Sequence, residues 1–224
     1  MEFREAISQH FHQLVQVSRK DIFGDSDLKY SPINLPEDSA IMFAGYIGVN
    51  YQQGSGLLLL AINPGGGGDA YTKRIPDDEI FYPLLMEFKQ AGDAEVLPSF
   101  ERINNSFASI VQRWNLWRIL KPTLEAANKS INDVAYMNIV PYRTRGDILP
   151  PVAARKEAWR CIIEPTIQLL NPNAVVTLGK KAGSVVEKLY SGERHLYCVP
   201  RTIGDSWVSE DALAVHRKMQ KDLA

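Results

Sequence analysis

Four short apolar runs, separated by longer segments of helical character, constrain the fold of this chain more than any other feature. The apolar runs lie at 57–62, 133–140, 174–178 and 195–199. The main helical segments lie at 2–20, 79–91, 99–118, 152–170, 180–190 and 209–223. Alternation of strands with helices predicts βαβ units, a parallel sheet and right-handed crossovers. We therefore expect an α/β fold of three layers, with a central four-stranded parallel sheet between helices.

Prolines and polar stretches refine these boundaries. Pro83 is expected in the first turn of its helix, where a missing backbone N–H is tolerated, and Pro122 is expected to start a short helix. Residues 41–50 are consistent with either a short strand or a lead-in to the first long strand. No repeat or low-complexity linker divides the chain, so we expect one domain over 1–224, with 1–40 as an N-terminal helix and loop extension.

The bulk composition excludes several classes of protein. The chain has 224 residues, 45% of them hydrophobic, which suffices for one buried core. Its longest apolar run is too short to span a membrane, and its first residues lack the apolar core of a signal peptide. We therefore expect a cytoplasmic protein with no membrane partner. A net charge of −1 gives no global attraction to nucleic acid. Basic clusters near Arg143 and Lys180 are either solvated surface or a phosphate-facing rim.

Each predicted strand ends in polar residues or glycine. In chain order these ends carry Asn63, Pro64, Gly65 and Gly66; Asn138 and Arg143; Gly179 and Lys180; and Arg201 and Thr202. The carboxyl ends of parallel strands meet at one edge of a sheet, and ligands of open α/β sheets bind in the crevice beyond that edge. We therefore expect these residues to surround one binding site.

The glycine run at 65–68 allows a second interpretation. Gly65, Gly67 and Ala70 match the G-x-G-x-x-A pattern of dinucleotide-binding loops, directly after a predicted strand. However, no amphipathic helix follows, and no strand ending in an acid appears about 20 residues on. A nucleotide-cofactor enzyme is therefore a secondary hypothesis, beside the simpler interpretation of Gly66 to Gly68 as a permissive turn.

The histidines, cysteines and serines of the chain show no spacing typical of a metal site or of a catalytic nucleophile. The histidines are His10, His12, His195 and His216, and none of them lie at ligand spacing on a shared element. Two cysteines make neither a disulfide framework nor a four-ligand site, and no Gly-x-Ser-x-Gly elbow is present. We expect no metal and no cofactor.

Two segments resemble the uracil-DNA glycosylase superfamily. Residues 61–65, Ala-Ile-Asn-Pro-Gly, look like the G-I-N-P-G motif of the mismatch-specific uracil and thymine glycosylases. Residues 135–143, Ala-Tyr-Met-Asn-Ile-Val-Pro-Tyr-Arg, followed by Glu157, Cys161 and 174–179, are similar in order to a run of the bacterial and archaeal iron–sulfur branch. The resemblance covers roughly residues 55–200. It implies a four-stranded parallel sheet between helices.

The resemblance also implies an activity, hydrolysis of the N-glycosidic bond of a base flipped out of DNA, since the reacting atoms are inaccessible in a duplex. Asn63 would hold the attacking water, and Asn138 would read the base edge with its amide. The backbone from Gly65 to Gly67 would approach the base or the sugar. The candidates for the aromatic side chain that stacks on the base are Phe81, Tyr82 and Tyr71.

The chain departs from the family at two places. The last motif, typically His-Pro-Ser, corresponds here to 199–205, which contains no histidine. Arg201, a fixed cation, would then replace the histidine that stabilises the leaving base. Tyr142 stands where the iron–sulfur branch has a cysteine, and only Cys161 looks retained, so we expect no iron–sulfur cluster.

The resemblance therefore implies a uracil-DNA glycosylase-like hydrolase of base excision repair, with Asn63 and Arg201 as catalytic residues and DNA or single-stranded nucleic acid as its partner. The alternative is a catalytically altered or inactive member that binds a nucleobase, a nucleotide or nucleic acid without cleavage. The missing histidine and the near-neutral charge favour that alternative. Substrate contacts are expected from Pro64, Gly65, Gly66, Phe81, Asn138, Arg143, Gly179, Lys180 and Thr202.

Overall fold

Five strands form one mostly parallel sheet in the computed structural model, which describes residues 2–32, 41–43, 45–65 and 76–223. The strands are β1 Tyr46–Ile47, β2 Leu57–Ala61, β3 Val134–Asn138, β4 Ala174–Leu178 and β5 His195–Val199. Their order across the sheet is β1-β3-β2-β4-β5. β2 to β5 run parallel to one another, and β1 pairs antiparallel with β3. The fold is α/β, as the sequence predicts.

The edge strand β1 shows that the prediction of a four-stranded, wholly parallel sheet is wrong. It has two residues, which pair with Tyr136 and Ala135 of β3. A segment of this length leaves no alternating pattern in a sequence. Of the two interpretations of 41–50, the short strand is therefore the one present. Asn104 Oδ1 accepts a hydrogen bond from Ile47 N at 2.7 Å, which satisfies an N–H on this edge strand.

Helices make up much of the rest of the described chain. They are α1 Phe3–Leu14, α2 Arg19–Phe23, α3 Asp27–Tyr30, α4 Pro76–Gln90, α5 Asp93–Ile110, α6 Trp117–Ala126, α7 Val152–Ala158, α8 Glu164–Leu170, α9 Lys180–Leu189 and α10 Glu210–Asp222. A π-helical turn, Trp159–Ile163, joins α7 to α8 within the predicted helix 152–170. Among the described helices, none combines the length and the apolar character needed to cross a membrane.

Proline positions explain where the predicted helix boundaries are wrong. Pro83 lies in the middle of α4 rather than in its first turn, and Pro122 lies inside α6 rather than at its start. The predicted helix 99–118 is divided between α5, which contains Pro98, and α6. Pro83 and Pro98 are exposed. On such a face, water can bond the carbonyl group that loses its helical partner, so the helix continues through the proline.

The three inner strands are buried on both faces. Every residue of β2, β3 and β4 is buried, and the four leucines from Leu57 to Leu60 are at most 1% exposed. Parallel strands covered on both sides read as continuous apolar runs, which is why the sequence shows them clearly. In β5, at the sheet edge, only Tyr197 and Val199 are buried.

The N-terminal helix packs into the same core. Phe11 of α1 is completely buried against Phe100 of α5, with ring centroids 5.6 Å apart. Arg4 donates to Glu101 at 2.6 Å and to the carbonyl oxygens of Ile47 and Gly48 at 3.1 Å each. α1 therefore ties α5 to the edge strand β1.

The segment after α1 also reaches the loop that follows β3. Tyr142 Oη donates to Val17 O at 2.5 Å, and Arg19 Nη1 donates to Arg143 O at 2.6 Å. The Arg19 side chain is itself held by Asp27 at 2.6 Å. These bonds fix the backbone of the β3 loop at the carboxyl edge of the sheet.

Candidate functional site

A cavity of about 400 Å³ opens at the carboxyl edge of the sheet. The ends of β2 and β3 contribute Ala61, Tyr136 and Asn138 to its lining, and α4 contributes Asp78, Phe81, Tyr82 and Leu85. Phe43, residues 114–116 and the loops after β2, β3 and β5 complete it. This volume lies within the range of small-molecule pockets, and the position is the one that a parallel sheet provides for ligands.

Seven of the predicted site residues line this cavity: Asn63, Pro64, Gly65, Phe81, Asn138, Arg143 and Arg201. Gly66, Gly67 and Tyr71 lie outside the described residues. The structure thus brings together residues that are up to 138 positions apart, from Asn63 to Arg201, because the strands that carry them are parallel.

The structure does not bring three further predicted residues, Gly179, Lys180 and Thr202, into the cavity lining. Gly179, with a φ of 104°, lies beside the Arg201 side chain and leaves room for it, since a Cβ there would lie 3.4 Å from Arg201 Cδ. The exposed Lys180 faces Asp211 at 3.7 Å. Thr202 Oγ1 donates to a backbone carbonyl five residues on, at 2.8 Å.

Asn63 stands just beyond the end of β2, and two acceptors hold its amide nitrogen. Nδ2 donates to Thr144 Oγ1 at 3.1 Å and to Pro64 O at 3.3 Å. Its Oδ1 has no hydrogen-bond partner among the described residues, and it is not a buried atom. The Asn63 side chain therefore offers an open acceptor at the cavity.

Asn138, the last residue of β3, is only 2% exposed. Its Oδ1 lies 3.5 Å from Tyr136 Oη, at the long limit of a hydrogen bond. Its Nδ2 has no partner in the part of the chain that the structure describes. Burial raises the pKa of Tyr136 to about 12, against the opposing effect of Arg201, so the phenol keeps its proton at neutral pH. Such an open amide donor marks a place where a ligand or water belongs.

Arg201 follows β5 and is oriented by Asp205, which is 3% exposed. Arg201 Nε donates to Asp205 Oδ1 at 2.7 Å, and Nη2 donates to Oδ2. Burial alone would lower the pKa of Arg201, but the bonds to Asp205 outweigh it and raise that pKa. Gly204 and Asp205 have positive φ values of 62° and 52°, a conformation that is uncommon for residues other than glycine. Within the described residues, Nη1 has no partner, so the guanidinium keeps open donors.

Arg143 forms a buried ion pair with Asp78 of α4. Its two terminal nitrogens each lie 2.9 Å from a carboxylate oxygen, and the two side chains are 9% and 6% exposed. The guanidinium carbon lies 5.0 Å from the ring centre of Tyr82. The pair joins α4 to the β3 loop, so Arg143 builds the wall of the cavity.

Aromatic rings form the apolar side of the cavity. The ring of Phe43 lies 5.4 Å from that of Phe81. Trp114 Nε1 donates to Asp77 Oδ2 at 2.7 Å, which fixes the indole. Of the three aromatic residues predicted to stack on a base, Phe81 and Tyr82 line the cavity. Rings held in this way offer flat apolar faces to a planar ligand.

The sequence does not predict four residues that line or support the cavity: Phe43, Trp114, Tyr136 and Asp205. Tyr136 could have been found, because it lies two positions before Asn138 on one strand and so points to the same face. Trp114 fits the helical apolar spacing of its neighbours, which predicts core. Phe43 lies in an irregular segment and Asp205 ends a single 3₁₀ turn, Ile203–Asp205, and neither is long enough for a period to indicate the direction of a side chain.

A second groove, of about 240 Å³, lies near the starts of β4 and β5. Trp159, Tyr190 and Arg194 contribute to it, and it contains none of the predicted site residues. Among the described side chains, no three histidine, cysteine, aspartate or glutamate residues are grouped to hold a metal ion.

Comparison with known proteins gives no family for this chain: no protein-family model matches it, and no curated protein matches it.

Proposed function

We propose that the chain is a hydrolase that cleaves the N-glycosidic bond of a base flipped out of DNA or presented by a single strand, on a three-layer fold similar to that of the uracil-DNA glycosylases. One observation carries the proposal. Asn63 follows β2, and Asn138 ends the adjacent parallel strand β3. Each of these asparagines offers an open polar atom to the same aromatic cavity.

The base would lie among the aromatic rings, with its edge at Asn138. A nucleobase is planar and has polar atoms only on its edge, so it needs flat apolar walls and a few polar contacts. Phe81 and Tyr82 supply the walls. The open Nδ2 of Asn138 would donate to a carbonyl oxygen of the base, and its Oδ1 would accept from a ring N–H.

The attacking water would be held by Asn63. Its open Oδ1 accepts a hydrogen bond from water but cannot remove a proton, so Asn63 acts by positioning. Placing a water correctly against an oxocarbenium-like centre provides much of the rate in such a reaction. Arg201 would face the base as it leaves with negative charge, through the N–H groups that Asp205 does not use. As the bond from C1′ to the base breaks, the water oxygen bonds to C1′, and the proton that the water loses neutralises the departing base.

The test is base release from oligonucleotides that carry one uracil, in single-stranded and double-stranded form, followed by a panel of other damaged bases. Wild type is expected to release a base, and Asn63→Ala is expected to be slower by about 100-fold, the loss typical of a misplaced reactant. Asn105→Ala is the matched control, because Asn105 is exposed on α5. It should keep the wild-type rate. No release from any substrate by wild type would contradict the proposal.

The second candidate is binding of a nucleobase or nucleic acid without cleavage, and one observation favours it. No histidine is among the described residues that line the cavity, and its carboxylate, Asp78, is held by Arg143. Arg201 stabilises charge but donates no proton. This candidate predicts DNA binding without base release, with an affinity that falls as salt rises. Binding that is independent of salt, and unchanged in Lys180→Ala, would exclude a role at DNA.

A further inference from the structure

Thr144, which the sequence does not single out, lies directly against Asn63. It is completely buried in the loop after β3. Its Oγ1 donates to Ile148 O at 2.6 Å, a short and well-formed hydrogen bond. A hydroxyl has one proton, so toward Asn63 the same oxygen can only accept. The atom of Asn63 that lies 3.1 Å away must therefore be the amide nitrogen.

We propose that Thr144 is the positioning residue that fixes the orientation of the Asn63 amide. With Nδ2 held by Thr144 Oγ1 and Pro64 O, Oδ1 is the atom left open at the cavity. Without Thr144, the Asn63 amide could rotate so that Oδ1 and Nδ2 exchange places, and it would then present N–H groups to the cavity. The same side chain would then repel the hydrogen atoms of a water that it has to orient.

The loop that carries Thr144 is itself fixed. Asp147 N donates to Thr144 O at 3.1 Å, which closes a turn in which Gly146 and Asp147 have φ values of 61° and 53°. On the other side, Arg143 is tied to Asp78 of α4 by two bonds of 2.9 Å. The threonine hydroxyl is therefore held in place from both directions, and it can hold Asn63 in turn.

The hydrogen bond between the Asn63 amide and Thr144 can be measured by NMR. In protein labelled with ¹⁵N, the side-chain NH₂ signals of Asn63 are assigned by their loss in Asn63→Ala, and their exchange with solvent is measured. Thr144→Val removes the acceptor at nearly constant volume, and exchange should become roughly tenfold faster, as expected for the loss of one such hydrogen bond. Thr144→Ser keeps the hydroxyl and should keep the wild-type exchange rate.

Thr177→Val is the matched control. Thr177 is also completely buried, and its Oγ1 also donates to a backbone carbonyl, Tyr197 O at 3.3 Å, but it lies on β4. This variant should leave the Asn63 signals unchanged. Thr144→Ala repeats the measurement if Thr144→Val does not fold. Wild-type exchange in the variant that lacks the hydroxyl, or fast exchange in Thr144→Ser, would overturn the inference.

The consequence for catalysis rests on the proposed function and is measured separately. On a substrate that wild type cleaves, Thr144→Val should lower kcat about tenfold or more with little change in KM, and Thr144→Ser should restore it. A wild type that cleaves nothing defeats the proposed function alone, because the exchange measurement still decides the orientation of the amide. Equal kcat in Thr144→Val and wild type would defeat the positioning role.

Discussion

At the scale of single residues, the two arginines of the cavity have different environments and therefore different roles. The Arg143 side chain is 9% exposed and is bonded at both terminal nitrogens to Asp78. The Arg201 side chain is 35% exposed and is bonded to Asp205 through Nε and Nη2. Arg143 joins two elements of the wall, whereas Arg201 still has donors to offer. Each arginine is paired with a carboxylate, Asp78 or Asp205, and no pattern in the sequence predicts that pairing.

Asp78→Asn should destabilise the protein strongly, because it removes the carboxylate charge that faces the buried positive charge of Arg143. We expect the free energy of unfolding in urea to fall by about 3 kcal/mol or more. The matched control is Asp211→Asn, which removes the partner of Lys180 from an exposed pair at 3.7 Å. That variant should change stability by less than about 1 kcal/mol. Equal effects of the two substitutions would show that the Arg143–Asp78 pair is not structurally important.

Element by element, the sequence predicts well where a pattern covers many residues and poorly where it does not. β2, β3 and β4 are found because strands buried on both faces are apolar without interruption. β1 is not distinguished from a lead-in, since two residues carry no period. Boundaries of α4, α5 and α6 are misplaced because prolines that normally begin helices lie inside these three.

The packing of α9 on the sheet depends on one glycine. A Cβ at Gly183 would lie 2.4 Å from Cys198 Sγ and 3.2 Å from Thr177 Oγ1. Gly183→Ala should therefore destabilise the protein by about 1 to 3 kcal/mol, although alanine is the better helix former. Ser184→Ala, at the exposed neighbouring position, should be neutral or slightly stabilising in the same thermal or urea experiment. A Gly183→Ala protein as stable as wild type would show that α9 does not pack this closely.

On the scale of the whole molecule, the half-buried His10 and the buried His216 join separate elements and should make stability depend on pH. His10 Nε2 lies 2.8 Å from Thr166 Oγ1, and His216 Nε2 lies 3.0 Å from Thr123 Oγ1. Both threonine hydroxyls donate to backbone carbonyls, so each histidine donates as a neutral ring. Burial lowers the pKa of both histidines below the ordinary value of 6.5.

The sign of the pH effect follows from these lowered pKa values. Below pH 6.5 the unfolded chain takes up protons that the folded protein resists, so stability should fall as pH drops from about 6.5 toward the folded pKa values. Urea unfolding at pH 8 and pH 5 measures this difference. The difference in the free energy of unfolding between the two pH values should be smaller in the double variant His10→Gln, His216→Gln, in which each glutamine amide still donates a hydrogen bond but takes up no proton. The control His195→Gln, at an exposed position, should leave it unchanged. A wild type that is equally stable at both pH values would contradict the effect.

The cavity as a whole is lined by six separate segments of the sequence, at Phe43, 61–65, 78–85, 114–116, 136–143 and Arg201. Strand topology makes it predictable that Asn63, Asn138 and Arg201 approach one edge of the sheet. It does not predict Thr144, Asp78 or Asp205, which orient those side chains or build the wall around them. Their positions depend on irregular loops and on helix packing, where no periodic pattern exists. The residues that support the site are therefore the part that only the structure shows.

Single-turnover release of uracil from a single-stranded oligonucleotide, with enzyme in excess, measures the proposed glycosylase activity of this cavity. Under this condition the rate constant reports the chemical step rather than product release. The proposed role of Asn63 predicts measurable release by wild type, release about 100-fold slower by Asn63→Ala, and an unchanged rate for Asn105→Ala. Equal rate constants for wild type and Asn63→Ala, or no release by wild type from uracil or any other base of the panel, would contradict the assignment of this cavity as a glycosylase site.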